Sequence, residues 1–237
     1  PFPLLAMSDD PLLHRQASAI FARYQYPANE ALGPIAKYPK EKKIRIGYFS
    51  ADFHNHATGY LLAELIELHD KKQFETIGIS FGSSQSDVMR TRLEKSFDQF
   101  IDASAMSDIE IAQLSRKLKI DIAVDLKGFT QNCRTGIFTY RAAPLQVSYL
   151  GYPGTMAADY VDYLIADQII IPPQSQAAYQ EKIIYLQVAL ENQVLLQSFL
   201  LLAFIQQRRF RVVFVHRWQR MRDTFVAINT GFIVVEP

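Results

Sequence analysis

Short apolar segments that predict strands alternate with segments of helical spacing along most of the chain. In the first of them, 43–50, apolar side chains recur at alternate positions, which predicts a strand. Similar patterns predict strands over 74–80, near Phe100, and over 120–126, 145–150, 163–166 and 183–186, with helices over 58–68, 87–97 and after Ser107. Strands that alternate with helices pair in parallel. The sequence therefore predicts an α/β fold with a Rossmann-like, doubly wound parallel sheet.

Residues 1–40 are predicted to form a helical linker region ahead of the sheet. Asp10 and Pro11 supply an N-cap and a first-turn proline, and apolar residues follow at helical spacing, at positions 12, 13, 17, 20 and 21. We interpret this amphipathic stretch as a helix that packs at the edge of the domain.

Three titratable side chains follow the first strand directly. Asp52, His54 and His56 lie at alternate positions, and Thr58 opens the next predicted helix. Ligands of open α/β sheets bind at the carboxyl ends of the strands, so this segment is a candidate site. The three residues would suit a metal-dependent hydrolase. They would equally suit a structural arrangement, with His54 exposed and His56 hydrogen-bonded to a neighbouring loop.

Two further strand ends carry polar or glycine-rich loops. Asp125 and Lys127 lead to Arg134, and the segment 151–155 places two glycines around a proline. Such a turn lets the backbone approach a ligand closely. No Gly-x-Gly-x-x-Gly follows the first strand and no Walker-type loop occurs, which disfavours dinucleotide and P-loop functions.

Composition narrows the function further. The chain has 237 residues, of which 49% are hydrophobic, and a formal net charge of +1, so nothing favours nucleic acid as a partner. Cys133 is the single cysteine, which suits a reducing, cytoplasmic compartment. The apolar segment 194–205 is shorter than the about 20 residues of a membrane span, so no membrane association is expected.

Four segments, in order, resemble landmarks of the O-GlcNAc transferase and SPINDLY family. They are Asp52-Phe53-x-Asn55-His56-x-Thr58, Asp125-Leu126-Lys127-Gly128-Phe129-Thr130, Arg141-Ala142-Ala143-Pro144-Leu145-Gln146-Val147 and Leu150-Gly151-Tyr152-Pro153-Gly154-Thr155. The resemblance covers roughly residues 1–187. It implies the N-terminal half of a two-domain, GT-B-type glycosyltransferase, with a tetratricopeptide repeat array upstream.

The same resemblance implies a reaction. Members of the family invert the anomeric centre as they move N-acetylglucosamine from UDP-GlcNAc to serine or threonine hydroxyls of proteins, and some plant relatives use GDP-fucose instead. The partners expected are thus a nucleotide sugar and protein acceptors, with no metal and no other cofactor.

The resemblance also implies residue roles. His56 and Asp52 would be catalytic, and substrate-binding positions would be Thr58, Arg134, Leu150, Gly151 and Pro153. Two positions depart from the animal enzymes: Ala57 stands in place of a proline, and Gln131 in place of a lysine. The second difference removes a positive charge from the rim of the expected site.

The composition changes near residue 187. Residues 188–237 contain six arginines and no lysine, and they match no motif of the family. We interpret 41–187 as the Rossmann-like half and 188–237 as an aberrant tail, with a shifted reading frame and a genuine, divergent closing segment as the two alternative explanations. The UDP-binding half is then missing, so the chain alone is expected to be inactive. A third hypothesis is a non-catalytic remnant that binds a protein through the helix of residues 10–23.

Overall fold

A single parallel sheet with the strand order β3-β2-β1-β4-β5-β6-β7 organises the computed structural model, which describes residues 1–36, 38–39, 41–82 and 86–186. The strands are β1 Ile44–Ser50, β2 Phe74–Ser80, β3 Gln99–Asp102, β4 Ile122–Asp125, β5 Leu145–Tyr149, β6 Tyr163–Asp167 and β7 Lys182–Leu186. This arrangement confirms the predicted α/β fold with a Rossmann-like parallel sheet. The predicted tail, 188–237, lies outside the described residues.

The four helices of nine or more residues begin where the sequence supplies caps. They are α1 Leu4–Met7, α2 Pro11–Gln25, α3 Ala57–Glu67, α4 Val88–Ser96, α5 Asp108–Lys117 and α6 Gly136–Thr139, with a 3₁₀ helix over Pro173–Ala178. Asp10 accepts the first free N–H groups of α2, and Ser107 and Glu110 form the predicted capping box of α5. The helices α1 and α6 and the 3₁₀ helix have only four to six residues, too few to show a helical hydrophobic period, which is why the sequence did not predict them.

Helix α2 packs on the domain through a face of small side chains. Ser18 and Ala22 are buried and Phe21 packs against the core, whereas Leu12 and Ile20 remain 58% and 60% exposed. The expectation that the apolar positions 12 and 20 belong to the packing face is therefore wrong. The inner face follows positions 18 and 22, one turn apart, where close approach to the loops below requires small residues.

Strand order reverses between β1 and β4. From β1 the chain winds outward to β2 and β3, then crosses back to β4 and continues through β5, β6 and β7. A crevice opens at the carboxyl ends of the strands at such a reversal. The loops after β1 and β4 therefore face each other across the position where this fold binds ligands.

Within the described residues, no helix combines the length and the hydropathy that crossing a membrane requires.

Candidate active site

A buried ion pair joins the loops after β1 and β4. The Lys127 Nζ donates to Asp52 Oδ2 at 2.5 Å, and both side chains are less than 10% exposed. The register explains the meeting, since Phe49 pairs with Asp125, and the two charged residues follow each strand at similar distances. The Lys127 backbone N–H donates to Asp125 Oδ1 at 2.8 Å, which fixes the start of this loop. The sequence placed Asp52 and Lys127 at strand ends without showing that they pair.

His56 is the N-cap of α3 and lies against the same carboxylate. Its Nδ1 accepts the Thr58 backbone N–H at 3.2 Å and is 3.6 Å from Asp52 Oδ2. Because a backbone N–H can only donate, this hydrogen bond requires an unprotonated Nδ1, and the neutral tautomer that satisfies it carries its proton on Nε2. The predicted catalytic pair is thus in contact, and Thr58 holds the imidazole through its backbone.

A close helix contact sets the position of His56. A Cβ built on Gly59 would lie 2.5 Å from the His54 carbonyl oxygen and 3.4 Å from that of Asp52. Only glycine lets the first turn of α3 approach the loop after β1 this closely. The distance between the helix N-terminus and Asp52 therefore depends on this glycine.

A cleft of about 480 Å³ opens beside Asp52. Its lining comes from the loops after β1, β2 and β4, namely Ala51, Asp52, His54, Phe81, Gly82, Asn132, Cys133 and Arg134. The His54 Nε2 lies 4.0 Å from Asp52 Oδ1, and its ring centroid is 5.7 Å from that of His56. Asp52, His54 and Arg134 thus face one space. The lining does not include His56, Thr58, Leu150, Gly151 or Pro153.

Arg134 carries an acidic partner that the sequence did not reveal. Its Nε and one terminal nitrogen lie 2.7 and 2.6 Å from Asp108 Oδ1, in the first turn of α5. The guanidinium carbon is 5.8 Å from the centroid of the Phe81 ring. Asp108 therefore largely neutralises the positive charge that Arg134 brings to the cleft.

The loop after β5 packs directly on the loop after β4. Leu150 adopts a positive φ of 73°, which a bulky residue tolerates only where the surroundings enforce it. A Cβ on Gly151 would lie 2.2 Å from the Leu126 carbonyl oxygen and 3.2 Å from Lys127 Cα. Pro153 is exposed, and its carbonyl oxygen accepts the Tyr179 hydroxyl at 3.3 Å. Gly151, one of the predicted substrate-binding residues, thus lies beside Lys127, the partner of Asp52.

Asp125 is a buried carboxyl beneath this cluster. Desolvation raises its pKa to about 6, although N–H groups of Lys127 and Gly128 and the nearby ammonium of Lys127 oppose the shift. The side chain is only 5% exposed and lies outside the lining of the cleft. We assign it to the support of the Lys127 loop.

The metal-dependent hydrolase hypothesis depends on Asp52, His54 and His56. The three side chains of the hydrolase hypothesis do come together, yet Asp52 already binds the Lys127 ammonium where a cation would be held. Among the described residues, no group of three or more histidine, cysteine, aspartate or glutamate side chains converges as metal ligands do. An imidazole, a buried ion pair and glycine-rich loops instead suit the binding of a polar molecule.

An all-parallel Rossmann-type sheet with polar side chains at its reversal point defines a ligand-binding α/β domain. The sequence profile described as glycosyl transferase family 41 matches residues 13–208 of the chain. The chain belongs to this family, as the motifs predicted. The match includes residues on both sides of position 187, where the resemblance in the motifs ends.

Individual relatives agree with the family. The chain is 34% identical over 196 residues to a probable UDP-N-acetylglucosamine--peptide N-acetylglucosaminyltransferase SEC of Arabidopsis thaliana, covering 78% of this chain and 20% of that protein. It is 32% identical over 146 residues to the UDP-N-acetylglucosamine--peptide N-acetylglucosaminyltransferase of Caenorhabditis elegans, covering 61% and 13%. The chain thus spans about a fifth or less of these relatives.

A solved structure gives the same result. A mutant of the Thermobaculum terrenum O-GlcNAc transferase superposes with a TM-score of 0.67 and 32% identity, over 75% of this chain and 34% of that one. The described sheet therefore corresponds to part of a known O-GlcNAc transferase fold.

Proposed function

We propose that this chain forms the acceptor-side half of the active site of a protein O-GlcNAc transferase, which moves N-acetylglucosamine from UDP-GlcNAc to serine or threonine hydroxyls. The contact between His56 and Asp52 at the reversal point of the sheet carries the proposal. Family membership and the names of the relatives support the reaction class.

The reaction defines what the site must supply. The acceptor oxygen forms a bond to the anomeric carbon while the bond from that carbon to UDP breaks on the opposite face, and UDP leaves with the electron pair. The hydroxyl proton must pass to a base. We assign this role to His56, whose partly exposed ring can reach a substrate. Asp52 is buried and already paired with Lys127, so we assign it to the support of the site rather than to accepting the proton itself.

We further assign the substrate-binding positions from the same resemblance. Leu150, Gly151 and Pro153 form a wall beside the sugar, and Thr58 fixes the catalytic ring through its N–H. Arg134 lines the cleft from the acceptor side, with its charge balanced by Asp108. Neither a metal nor another cofactor enters this mechanism.

The chain needs a donor site from elsewhere. It covers 20% of the SEC relative and 34% of the solved bacterial chain, so we propose that UDP is held mainly by a further domain and that this chain alone does not turn over. We place such an enzyme in the cytoplasm, with protein acceptors and a tetratricopeptide array as the family resemblance implies.

Two measurements test the proposal. Calorimetry of the full chain with UDP and with UDP-GlcNAc should show no saturable binding at millimolar ligand. A chimera of the SEC relative, with residues 13–208 of this chain in place of the matched segment, should transfer labelled N-acetylglucosamine to a protein acceptor. A folded chimera without transfer, alongside an active parent, would contradict the proposal.

The outer face of α2 supports a second candidate, a protein-binding remnant. Leu12, Ile20 and Tyr24 are 58%, 60% and 77% exposed on this helix. A folded but inactive chimera would favour this function. Loss of protein binding by the full chain on Ile20→Asp would then locate the interface, whereas unchanged binding would exclude α2.

A further inference from the structure

Asp52 Oδ2 lies between two nitrogen atoms that compete for it. The Lys127 Nζ is 2.5 Å away and the His56 Nδ1 is 3.6 Å away, and only the shorter of the two contacts is a hydrogen bond. The His56 Nδ1 instead accepts the Thr58 N–H at 3.2 Å. The imidazole is therefore in contact with the carboxylate without donating to it.

The two arrangements open to His56 differ in chemistry. While Nδ1 accepts from Thr58, the neutral ring carries its proton on Nε2 and presents a donor outward. If Nδ1 carried the proton and donated to Asp52 Oδ2, Nε2 would become an acceptor that can take a proton from a hydroxyl. The position of one proton thus decides whether the exposed nitrogen is an acid or a base.

The backbone of Lys127 is held by two hydrogen bonds, and its ammonium is buried against Asp52. Its backbone N–H donates to Asp125 Oδ1 at 2.8 Å, and its carbonyl oxygen accepts the Thr130 hydroxyl at 2.9 Å. Its side chain is 6% exposed, so water does not screen the charge. The ammonium both occupies Oδ2 and neutralises the carboxylate, which weakens the pull of Asp52 on an Nδ1 proton.

We propose that Lys127 is a positioning residue that sets the tautomer of His56. With the ammonium on Asp52, the ring stays in the Nε2–H form and remains bound to the N-terminus of α3. Withdrawal of the ammonium lets Asp52 accept from Nδ1 and produces the form that acts as a base. The proposal deepens the function proposed above and relies on it for the role of His56 in transfer.

Nitrogen NMR of the full chain labelled with ¹⁵N-histidine tests this directly, because the shift of each ring nitrogen shows whether it carries a proton. His56→Gln assigns the His56 signals among the five histidines. At pH 8, the wild-type chain should show an unprotonated Nδ1 and a protonated Nε2. A protonated Nδ1 in the wild-type chain would overturn the proposal without any variant at the pair.

Lys127→Met then removes the ammonium while it keeps most of the side-chain volume. His56 Nδ1 should become protonated in this variant, with the amide spectrum still that of a folded domain. Lys119→Met is the matched control, since Lys119 pairs with Glu41 at 3.1 Å on the surface and its loss changes net charge equally. His56 signals should not move in the control.

A folded Lys127→Met chain with an unprotonated Nδ1 would show that Thr58 alone fixes the ring, and would overturn the proposal. If Lys127→Met does not fold, Lys127→Leu replaces it. Leucine likewise offers Asp52 neither a charge nor a hydrogen-bond donor, so the expected and contradictory results stay the same. These readouts are independent of transfer, so an inactive chimera would refute the proposed function and leave the result on Lys127 standing.

Discussion

The hydroxyl of Tyr152 lies 3.2 Å from Ser18 Oγ, and both side chains are buried. This hydrogen bond ties helix α2 to the loop after β5, which carries Leu150 and Pro153. The Tyr152 ring also lies 5.5 Å from Phe129 in the loop after β4, measured between ring centroids. The N-terminal helix is therefore part of the support of the candidate site, although 134 residues separate the two hydroxyls.

Tyr152→Phe should destabilise the domain by about 1–2 kcal/mol, because Ser18 would lose this buried partner. Urea unfolding followed by circular dichroism measures the change. Tyr60→Phe is the control: the Tyr60 hydroxyl donates to Asn55 Oδ1, but the residue is 60% exposed. Its loss should cost less than about 0.5 kcal/mol. Equal costs for the two variants would show that the Ser18 contact contributes nothing special.

Gly59→Ala should have two opposite effects on the free energy of unfolding. Alanine stabilises a helix interior by about 1 kcal/mol over glycine. The added Cβ, however, would lie 2.5 Å from the His54 carbonyl oxygen, a backbone atom that cannot move freely. We expect a net loss of about 1–3 kcal/mol in urea unfolding, as for overpacked sites. A variant as stable as the wild type would mean that α3 shifts away from the loop at little cost.

Asp125→Asn should change the pH dependence of stability. The folded pKa of Asp125, about 6, lies above its ordinary value of 3.8, so the folded state binds more protons between these values. The stability of the wild-type chain is favoured below pH 4 by this group, and that contribution is lost as pH rises through about 6. The variant has no carboxyl at this position and so does not lose this contribution, and its stability relative to the wild type should rise by about 2 kcal/mol from pH 4 to pH 7.

The measurement is urea unfolding of both chains across that pH range. The difference between the free energies of unfolding of the two chains cancels the contribution of groups that titrate alike in both. One of these is His69, whose pKa is lowered to about 4 by burial. Parallel profiles for the two chains would contradict the raised pKa of Asp125.

Local signals predicted the elements well because their causes are local. The Asp10 cap, the Ser107 and Glu110 capping box and the alternation along β1 each depend on residues a few positions apart. The candidate segment after β1 was also found locally, since charged residues after an apolar strand lie at a sheet edge.

The long-range pairs were not predictable in this way. Lys127 meets Asp52 across 75 residues because β4 lies beside β1, and a single sequence shows strand ends without the strand order. Arg134 meets Asp108 for a similar reason, through the packing of α5 beside the loop after β4. The hydrophobic pattern of α2 gives the wrong inner face, because it implies that apolar positions are buried. In the structure, the small Ser18 lies on the buried face of the helix and Ile20 lies on the exposed face.

The proposed function depends most on His56, rather than His54, being the catalytic imidazole. The two histidines can be compared directly because both lie near the same carboxylate. Each lies near Asp52, with nitrogen-to-oxygen distances of 3.6 and 4.0 Å, and His54 is the one that lines the cleft. The most direct test compares kcat/KM for His56→Ala and His54→Ala in the SEC chimera. We expect a loss of about 10²-fold or more for His56→Ala, and a change of only a few-fold for His54→Ala. A larger loss of kcat/KM for His54→Ala than for His56→Ala, or full activity of His56→Ala, would contradict the assignment of His56 as the base.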